Sequence, residues 1–177
     1  MRTSVTVVIV GTALLGGCSG SGDEIGVATP APPRWDPCSI SAEAIEATGL
    51  DPTYRQIGWG EGITVPDWSL CIFRGPDAKP SYFLNVKSSD IHTIEDAREN
   101  QSNLAAVELQ VGGRNAYQFN TAKSRSITDC NVAVSAASGV VVFTVNSMGT
   151  DAIAGDPCDI VISHTADLVL LLPPVEK

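Results

Sequence analysis

Besides Cys18, the chain contains four widely spaced cysteines, and these four constrain its fold more than any other feature: Cys38, Cys71, Cys130 and Cys158. An even number of such cysteines is typical of a disulfide framework in a chain that is exported. Four cysteines can pair in three ways, and the spacing alone does not choose among them. No two of them lie close together, and neither His92 nor His164 stands at a zinc-finger spacing from them. We therefore predict two disulfides, no metal site and no cofactor.

The triplet Asp-Pro-Cys occurs twice, at residues 36–38 and 156–158, and each copy predicts the start of a helix. Aspartate is a favoured N-cap, and proline is favoured at the first helical position. The other two cysteines fall in segments with strand-like patterns. The simplest arrangement joins each helix start to a neighbouring strand, and its pairs are Cys38–Cys71 and Cys130–Cys158. The alternative, a reactive free thiol in the first turn of a helix, stays open.

The first 18 residues have the pattern of an export signal. Arg2 precedes an apolar run over residues 5–15, which is too short to span the ~30 Å hydrocarbon core and is typical of a cleaved signal segment. The sequence Leu15-Gly16-Gly17-Cys18 then resembles the lipobox of bacterial lipoproteins, and this implies cleavage before Cys18 and diacylation of its thiol. The alternatives are an ordinary secretory signal, which would leave Cys18 as a spare thiol, and an uncleaved anchor.

Composition divides the chain into three parts. We predict a lipoprotein signal peptide over residues 1–17, a flexible tether rich in Pro, Gly and Ser over residues 18–34, and a single extracytoplasmic domain over residues 35–177. Cleavage would leave 160 of the 177 residues, which is enough for one domain with a hydrophobic core.

The net charge of the chain indicates which classes of partner it is unsuited to bind. Loss of Arg2 would change the formal net charge from −9 to −10, and the remaining Lys and Arg residues do not cluster. This pattern argues against nucleic acid as a partner and against charge-driven binding to anionic lipid. The partner that we predict is the cell membrane, bound at its extracytoplasmic face through palmitate-type acyl chains on Cys18.

The hydrophobic pattern predicts an α+β fold, with an antiparallel sheet of about five or six strands and two or three helices packed on it. Strands are predicted over residues 68–73, 82–86, 107–111, 115–119, 127–135 and 140–146. Helices are predicted to begin at Asp36, Thr93 and Asp156. Gly112-Gly113 and Ser138-Gly139 predict two hairpins. The continuous apolar run over residues 140–143 predicts a central strand that is buried on both faces.

The sequence shows no catalytic motif, such as a Gly-x-Ser-x-Gly elbow, a phosphate loop, a dinucleotide fingerprint or a His-Glu-x-x-His pair. We interpret His92 as a surface residue before a helix and His164 as a residue on the polar face of the last helix. We therefore predict no catalytic residues. Paired carboxylates are set by space rather than by sequence, so a hydrolase of cell-wall polymer or lipid is kept as the alternative function.

Three tryptophans are the candidate ligand contacts: Trp35, Trp59 and Trp68 lie near the tether or in the Gly-rich stretch before Cys71. Aromatic side chains on a loop could bind a sugar ring or an acyl chain. The alternative is that they cover one end of the core. The function that we predict is a lipid-anchored cell-envelope module that binds an envelope ligand or a protein partner.

Several segments together resemble one family. They are the lipobox, Trp35-Asp36-Pro37-Cys38 after a Pro-rich tether, the Cys71 strand, Val111-Gly112-Gly113-Arg114, Cys130-Asn131-Val132, and the last helix from Asp156-Pro157-Cys158 to Leu172-Pro173. The chain is similar over essentially its whole mature length to lipoproteins of mycobacteria and other actinobacteria that share DUF3558, a domain of unknown function. The resemblance implies a location in the cell envelope, and no catalytic residue can be carried over. A looser similarity to the sensor domains of some mycobacterial kinases suggests binding or sensing only.

Overall fold

The computed structural model describes residues 33–77, 81–121, 129–147 and 155–175. The predicted signal peptide, Cys18 and nearly all of the predicted tether lie outside these residues. The described chain contains seven strands in chain order: β1 Asp51–Ile57, β2 Ser69–Arg74, β3 Tyr82–Ser89, β4 Leu104–Val111, β5 Arg114–Asn120, β6 Asp129–Ala136 and β7 Gly139–Ser147. They form one antiparallel sheet in the order β1-β2-β3-β7-β6-β5-β4.

Three α-helices accompany this sheet in the described ranges: α1 Ala42–Ala47, α2 Ile94–Glu99 and α3 Pro157–Leu168. Short 3-10 turns at Pro37–Ser39 and Val169–Leu171 precede α1 and follow α3. The first Asp-Pro-Cys triplet therefore begins a 3-10 turn, whereas the second begins an α-helix as predicted. Across the part of the chain that the structure describes, no helix has the length and apolar character needed to cross a membrane.

The predicted α+β fold with five or six strands is wrong. The sheet has seven strands, and of the α-helices in the described residues only α3 is longer than six residues. The additional strand is β1, which lies in a segment where no strand is predicted. β1 lies at the edge of the sheet and is irregular between Asp51 and Arg55, and most of its residues are exposed. An edge position tolerates a proline, and an exposed strand lacks the apolar alternation that marks a strand in sequence.

The prediction of a doubly buried central strand is confirmed by β7. It occupies the fourth of seven positions, and Val140, Val141, Val142 and Phe143 are all buried. The β4–β5 hairpin is also confirmed, since Gly112 and Gly113 form its two-residue turn with φ values of 57° and 78°. Positive φ at both positions is the requirement of a type I′ turn, which favours glycine there.

The two faces of the sheet are covered differently. The helix face, which we define as the face that α1 and α3 cover, carries the main core, including Phe73, Leu84, Val86, Val132, Phe143 and Val145. The opposite face, called the open face below, has a smaller core beneath α2, formed by Ile94, Phe119, Ala133, Val140 and Val142. Because α2 packs on β5 and β6, no helix of the described residues covers the open face above β2, β3 and β7.

Both predicted disulfides are present. Cys38 bonds to Cys71 of β2, and Cys130 of β6 bonds to Cys158 of α3. In each Asp-Pro-Cys triplet, the aspartate Oδ1 accepts a hydrogen bond of 2.8 Å from the cysteine N–H. Each triplet thus caps a helical turn and also links that turn to a strand through its cysteine. The predicted pairing of the four cysteines is confirmed.

Candidate ligand-binding site

Three adjoining cavities follow one another across the open face of the sheet. The β1 cavity, of about 300 Å³, is lined by Tyr54, Gln56, Ile72, Phe83, Asn85 and Asn146. The middle cavity, of about 220 Å³, is lined by Trp59, Leu70, Ile72, Asn85, Lys87, Thr144 and Asn146. The α2 cavity, of about 250 Å³, includes Trp68, Lys87, His92, Asp96, Asn131 and Val142. Neighbouring cavities share lining residues, and we call the three together the open-face groove.

Strand register explains why the floor of the groove is mixed in polarity. Side chains of one face recur at every second residue of a strand. One row across β2, β3, β7 and β6 therefore joins Ile72, Asn85, Thr144 and Asn131. The next row joins Leu70, Lys87, Val142 and Ala133. A single lysine thus lies among apolar neighbours, beside a row that is mostly polar.

The polar side chains of the floor are connected by hydrogen bonds. Asn85 Nδ2 donates to Asn146 Oδ1, and Thr144 Oγ1 donates to Asn131 Oδ1 at 2.7 Å. Asn131 Nδ2 in turn donates to the carboxylate of Asp129 at 3.0 Å and to the carbonyl of Phe119 at 3.2 Å. Such bonds fix amide orientation, so the groove presents an ordered set of donors and acceptors.

Asp129 is a buried carboxylate on the same face of β6 as Asn131, with 8% of its surface exposed. Its Oδ1 accepts a hydrogen bond of 3.0 Å from the Thr121 N–H, and its Oδ2 accepts bonds from the Thr121 hydroxyl and the Asn131 amide. These donors compensate for the loss of water around the charge. Asp129 therefore helps to hold Asn131 and the groove floor in place.

Lys87 occupies the junction of the middle and α2 cavities. Its Nζ lies 5.9 Å from the centre of the Trp68 ring, which is within the range of a cation–π contact. Burial lowers the pKa of the Lys87 ammonium, and the negative charge of Asp129 opposes that shift. Within the described ranges no carboxylate forms a salt bridge with Lys87. The groove therefore contains a lysine whose charge lacks a close counter-charge from those residues.

Two of the three candidate tryptophans line the groove. Trp59 lines the middle cavity and Trp68 the α2 cavity. The Nε1 of Trp59 is buried and has no hydrogen-bond partner among the residues described. Trp35 instead packs against the core of the helix face, and its carbonyl accepts a hydrogen bond from Ser88. The core-covering alternative thus fits Trp35, and ligand contact by Trp59 and Trp68 stays a prediction.

The turn between β3 and α2 forms one end of the groove. His92 stacks on Trp68 with ring centres 5.1 Å apart and an interplanar angle of 15°. Its Nδ1 lies 3.5 Å from Asp96 Oδ2, and its Nε2 lies 4.0 Å from Asp67 Oδ2. Thr93 and Asp96 form a capping box that starts α2. The interpretation of His92 as a surface residue before a helix fits this geometry, since its side chain is 37% exposed, and its ring contributes to the cavity wall.

The opposite end of the groove is supported by an ion pair between β1 and β2. Arg74 Nε donates to Asp51 Oδ2 at 2.9 Å, and Asp51 Oδ1 accepts bonds of 2.6 and 2.8 Å from the hydroxyl and N–H of Thr53. The Thr53 hydroxyl and then the Arg74 guanidinium lower the pKa of Asp51 from 3.8 to about 2. The same guanidinium lies 5.0 Å from the centre of the Tyr54 ring, which lines the β1 cavity.

The interpretation of His164 as a polar-face residue is wrong. His164 is only 6% exposed, and its Nε2 lies 2.9 Å from the Tyr82 hydroxyl. Burial lowers the pKa of His164 and raises that of Tyr82. Nδ1 is buried without a partner in the described chain. No serine or carboxylate of that part of the chain hydrogen-bonds to this imidazole, so His164 lends no support to a serine hydrolase site.

Sequence reasoning did not find Lys87, Asn85 or Asn146 as groove residues. On β3, polar and aromatic side chains alternate with Leu84 and Val86, a pattern that ordinarily indicates a solvent-facing side of a sheet. One possible signal was Lys87, a lysine on a strand whose cross-strand neighbours Leu70 and Val142 are apolar. Those neighbours can be identified only once the strand register is known. The described His, Cys, Asp and Glu residues form no group of three or more that could hold a metal.

These features define a class of protein: a disulfide-linked domain, built on one antiparallel sheet, with a groove of ligand size across its open face. The family described as "Protein of unknown function (DUF3558)" matches residues 13–170, and the chain belongs to that family. The resemblance to this domain of unknown function is thereby confirmed.

Comparisons with curated proteins and with solved structures do not identify a function for this chain. No curated protein matches the chain. One similar solved structure is the solution structure of cyanobacterial PsbP (CyanoP) from Synechocystis sp. PCC 6803, at 15% identity over 76% of this chain and 86% of that chain. The TM-score of 0.36 is low, and no conclusion is drawn from this likeness.

Proposed function

We propose that the protein is a lipid-anchored binding module of the actinobacterial cell envelope, and that its ligand lies in the open-face groove. The anchor would be Cys18, acylated at the extracytoplasmic face of the cell membrane. The domain would present the groove to an envelope component beyond the tether. This proposal includes no chemical step, because the described residues supply no arrangement that points to one.

One observation carries the proposal. Three cavities of about 220 to 300 Å³ adjoin on the open face, and they extend from α2 across the part of this face that no described helix covers. Ligand sites are typically concave, largely apolar and provided with a few placed polar groups. The groove has apolar walls, for instance Ile72, Phe83 and Val142, and it has ordered amides at Asn85 and Asn146.

The compartment is supported by separate evidence. The sequence Leu15-Gly16-Gly17-Cys18 has the lipobox pattern. The two disulfides are of the kind that persists in oxidising environments outside the cytoplasm. Neither observation depends on the groove, so the anchor and the ligand site can be tested independently.

Retention of envelope components by the full-length protein tests the ligand site. Ile72 lines both the β1 and the middle cavity from the open face, so an Ile72→Trp change fills space there without touching the core of the helix face. The full-length protein in lipid nanodiscs is incubated with a total envelope extract, re-isolated, and its bound small molecules are quantified by mass spectrometry. We expect Ile72→Trp to retain at least tenfold less of the specific component than the wild type.

Gln110→Trp is the matched control. Gln110 is exposed on β4, at the opposite edge of the sheet from β1 and outside the three cavities. The added indole is the same, so it controls for unspecific adsorption to tryptophan. Equal retention by wild type, Ile72→Trp and Gln110→Trp, or retention by none of them, would contradict a ligand site in the groove.

A further inference from the structure

We infer that the ligand of the open-face groove is a small amphiphile whose carboxylate pairs with Lys87 Nζ while its apolar part lies in the middle cavity against Leu70 and Trp59. This inference rests on the proposed function and adds the chemical class of the ligand. It identifies Lys87 as the residue that determines specificity.

The charge distribution supports an anionic group. Lys87 is the one Lys or Arg among the described residues that line the three cavities. The other titratable side chains around it are His92 and Asp96 in the α2 cavity and Asp129, which lies on the same face of β6 as Asn131 and is bound to Thr121 and Asn131. The negative charge of Asp129 acts on Lys87, but the two side chains form no salt bridge. The ammonium therefore has room for an anionic partner from outside.

Burial makes such a partner favourable. Desolvation disfavours the charged form of Lys87, and a nearby carboxylate favours it again. A charge-assisted hydrogen bond in a partly dehydrated site is stronger than one at a free surface. A carboxylate bound at Nζ would thus stabilise both groups, whereas a neutral group of the same shape would leave the ammonium without a counter-charge.

The apolar neighbours define the rest of the ligand. Leu70 and Val142 flank Lys87 in the cross-strand row, and Ile72 and Trp59 extend the apolar wall through the middle cavity. The indole Nε1 of Trp59 lacks an acceptor among the described residues, so a carboxylate that reached it after a side-chain shift would satisfy a second donor. A single lysine without an arginine fork favours one singly charged head group over a phosphate monoester.

Two probes that differ only in charge test the inference. Octanoate and octanamide share the same chain, and both are small enough for cavities of about 220 and 300 Å³. The full-length protein in lipid nanodiscs is titrated with each probe, with tryptophan fluorescence as the readout and with empty nanodiscs as the blank. We expect octanoate to bind at least tenfold more tightly than octanamide, which corresponds to one charge-assisted hydrogen bond.

Two substitutions at one position separate charge from shape. Lys87→Met keeps the length of the side chain and removes the charge, so we expect it to lose the tenfold preference for octanoate. Lys87→Arg keeps the charge, so most of the preference remains. Near-ultraviolet circular dichroism verifies that both variants are folded.

The outcomes distinguish this inference from the proposed function. Equal binding of both probes to the wild type, lost in Ile72→Trp, overturns the carboxylate and leaves the groove as a ligand site. Octanoate binding that Lys87→Met does not weaken places the anion elsewhere and also overturns the inference. No detectable octanoate binding to the wild type overturns it as well, while the retention of envelope components by Ile72→Trp and Gln110→Trp still decides the proposed function.

Discussion

At the scale of single residues, the ion pair between Asp51 and Arg74 determines how the edge strand β1 meets the groove. Arg74 bonds to Asp51 on one side and lies over the ring of Tyr54 on the other. Tyr54 is also 5.9 Å from the ring of Phe83, so aromatic contacts continue from the pair into the β1 cavity. An ion pair near the surface contributes little to stability by itself, and the role of this partly buried pair is to hold the wall of the cavity in position.

Asp51→Asn tests this role through the pH dependence of stability. The fold lowers the pKa of Asp51 from 3.8 to about 2, which means that it favours the charged form. The resulting stabilisation is fully present above about pH 3.8 and is lost as the pH falls through about 2. We expect the wild type to be more stable than Asp51→Asn at pH 6 and the difference to shrink between pH 4 and pH 2.

Urea unfolding at pH 6, 4, 3 and 2 measures this difference. Glu61→Gln is the control, because Glu61 is an exposed carboxylate of the segment between β1 and β2. A difference between the wild type and Asp51→Asn that stays constant from pH 6 to pH 2 would show that the carboxylate of Asp51 is not stabilised by the fold.

At the scale of secondary-structure elements, the two disulfides tie the covering segments to the sheet. Cys38–Cys71 fixes the 3-10 turn at Pro37–Ser39 to β2, and Cys130–Cys158 fixes the start of α3 to β6. Both act on the helix face, where Cys71 and Cys130 are fully buried. Neither disulfide therefore involves the open face, while both hold the sheet from its other side.

Removal of either disulfide is expected to lower the free energy of unfolding by a similar amount. The bonds close segments of 33 and 28 residues, and loop-closure entropy for such lengths is roughly 3 to 4 kcal/mol. Cys38→Ala with Cys71→Ala, and Cys130→Ala with Cys158→Ala, are compared with the wild type by urea unfolding. A loss below about 1 kcal/mol for either pair would contradict the entropic account.

The same elements show how far sequence reasoning reaches. The Gly112-Gly113 turn and the apolar run of β7 are local signals that predicted their features correctly. The repeated Asp-Pro-Cys triplet predicted both disulfides, although its first copy begins a 3-10 turn. The strand β1 was not predicted, because an irregular edge strand that contains Pro52 lacks a periodic hydrophobic pattern. The groove was not predicted because its residues come from six strands, from α2 and from loops, and only the tertiary structure brings them together.

At the scale of the whole molecule, the proposed anchor and tether would determine the location of the protein, and the domain would bind the ligand. The acyl chains on Cys18 would locate the protein, and the acidic chain of net charge −9 would add no attraction to an anionic membrane surface. The groove would then be the region where ligand specificity resides.

Intact mass tests the anchor and the disulfides together. We expect protein isolated from its native membrane to have the mass of Cys18 to Lys177 plus acyl chains. Reduction of two disulfides should raise that mass by four hydrogens. Cys18→Ser provides the control, since it lacks the thiol that would be acylated. A mass without acyl chains, or free thiols before reduction, would contradict this part of the account.

The groove itself is tested most directly by the indole N–H signals of the tryptophans in a nitrogen-15 NMR spectrum. Trp59 and Trp68 line the groove, and Trp35 packs on the other face as an internal control. Single Trp→Phe variants assign the three signals, and the full-length protein in nanodiscs is then mixed with envelope extract. We predict that the signals of Trp59 and Trp68 shift while that of Trp35 stays in place. A shift of Trp35 alone, or no shift of any signal, would contradict a ligand site on the open face.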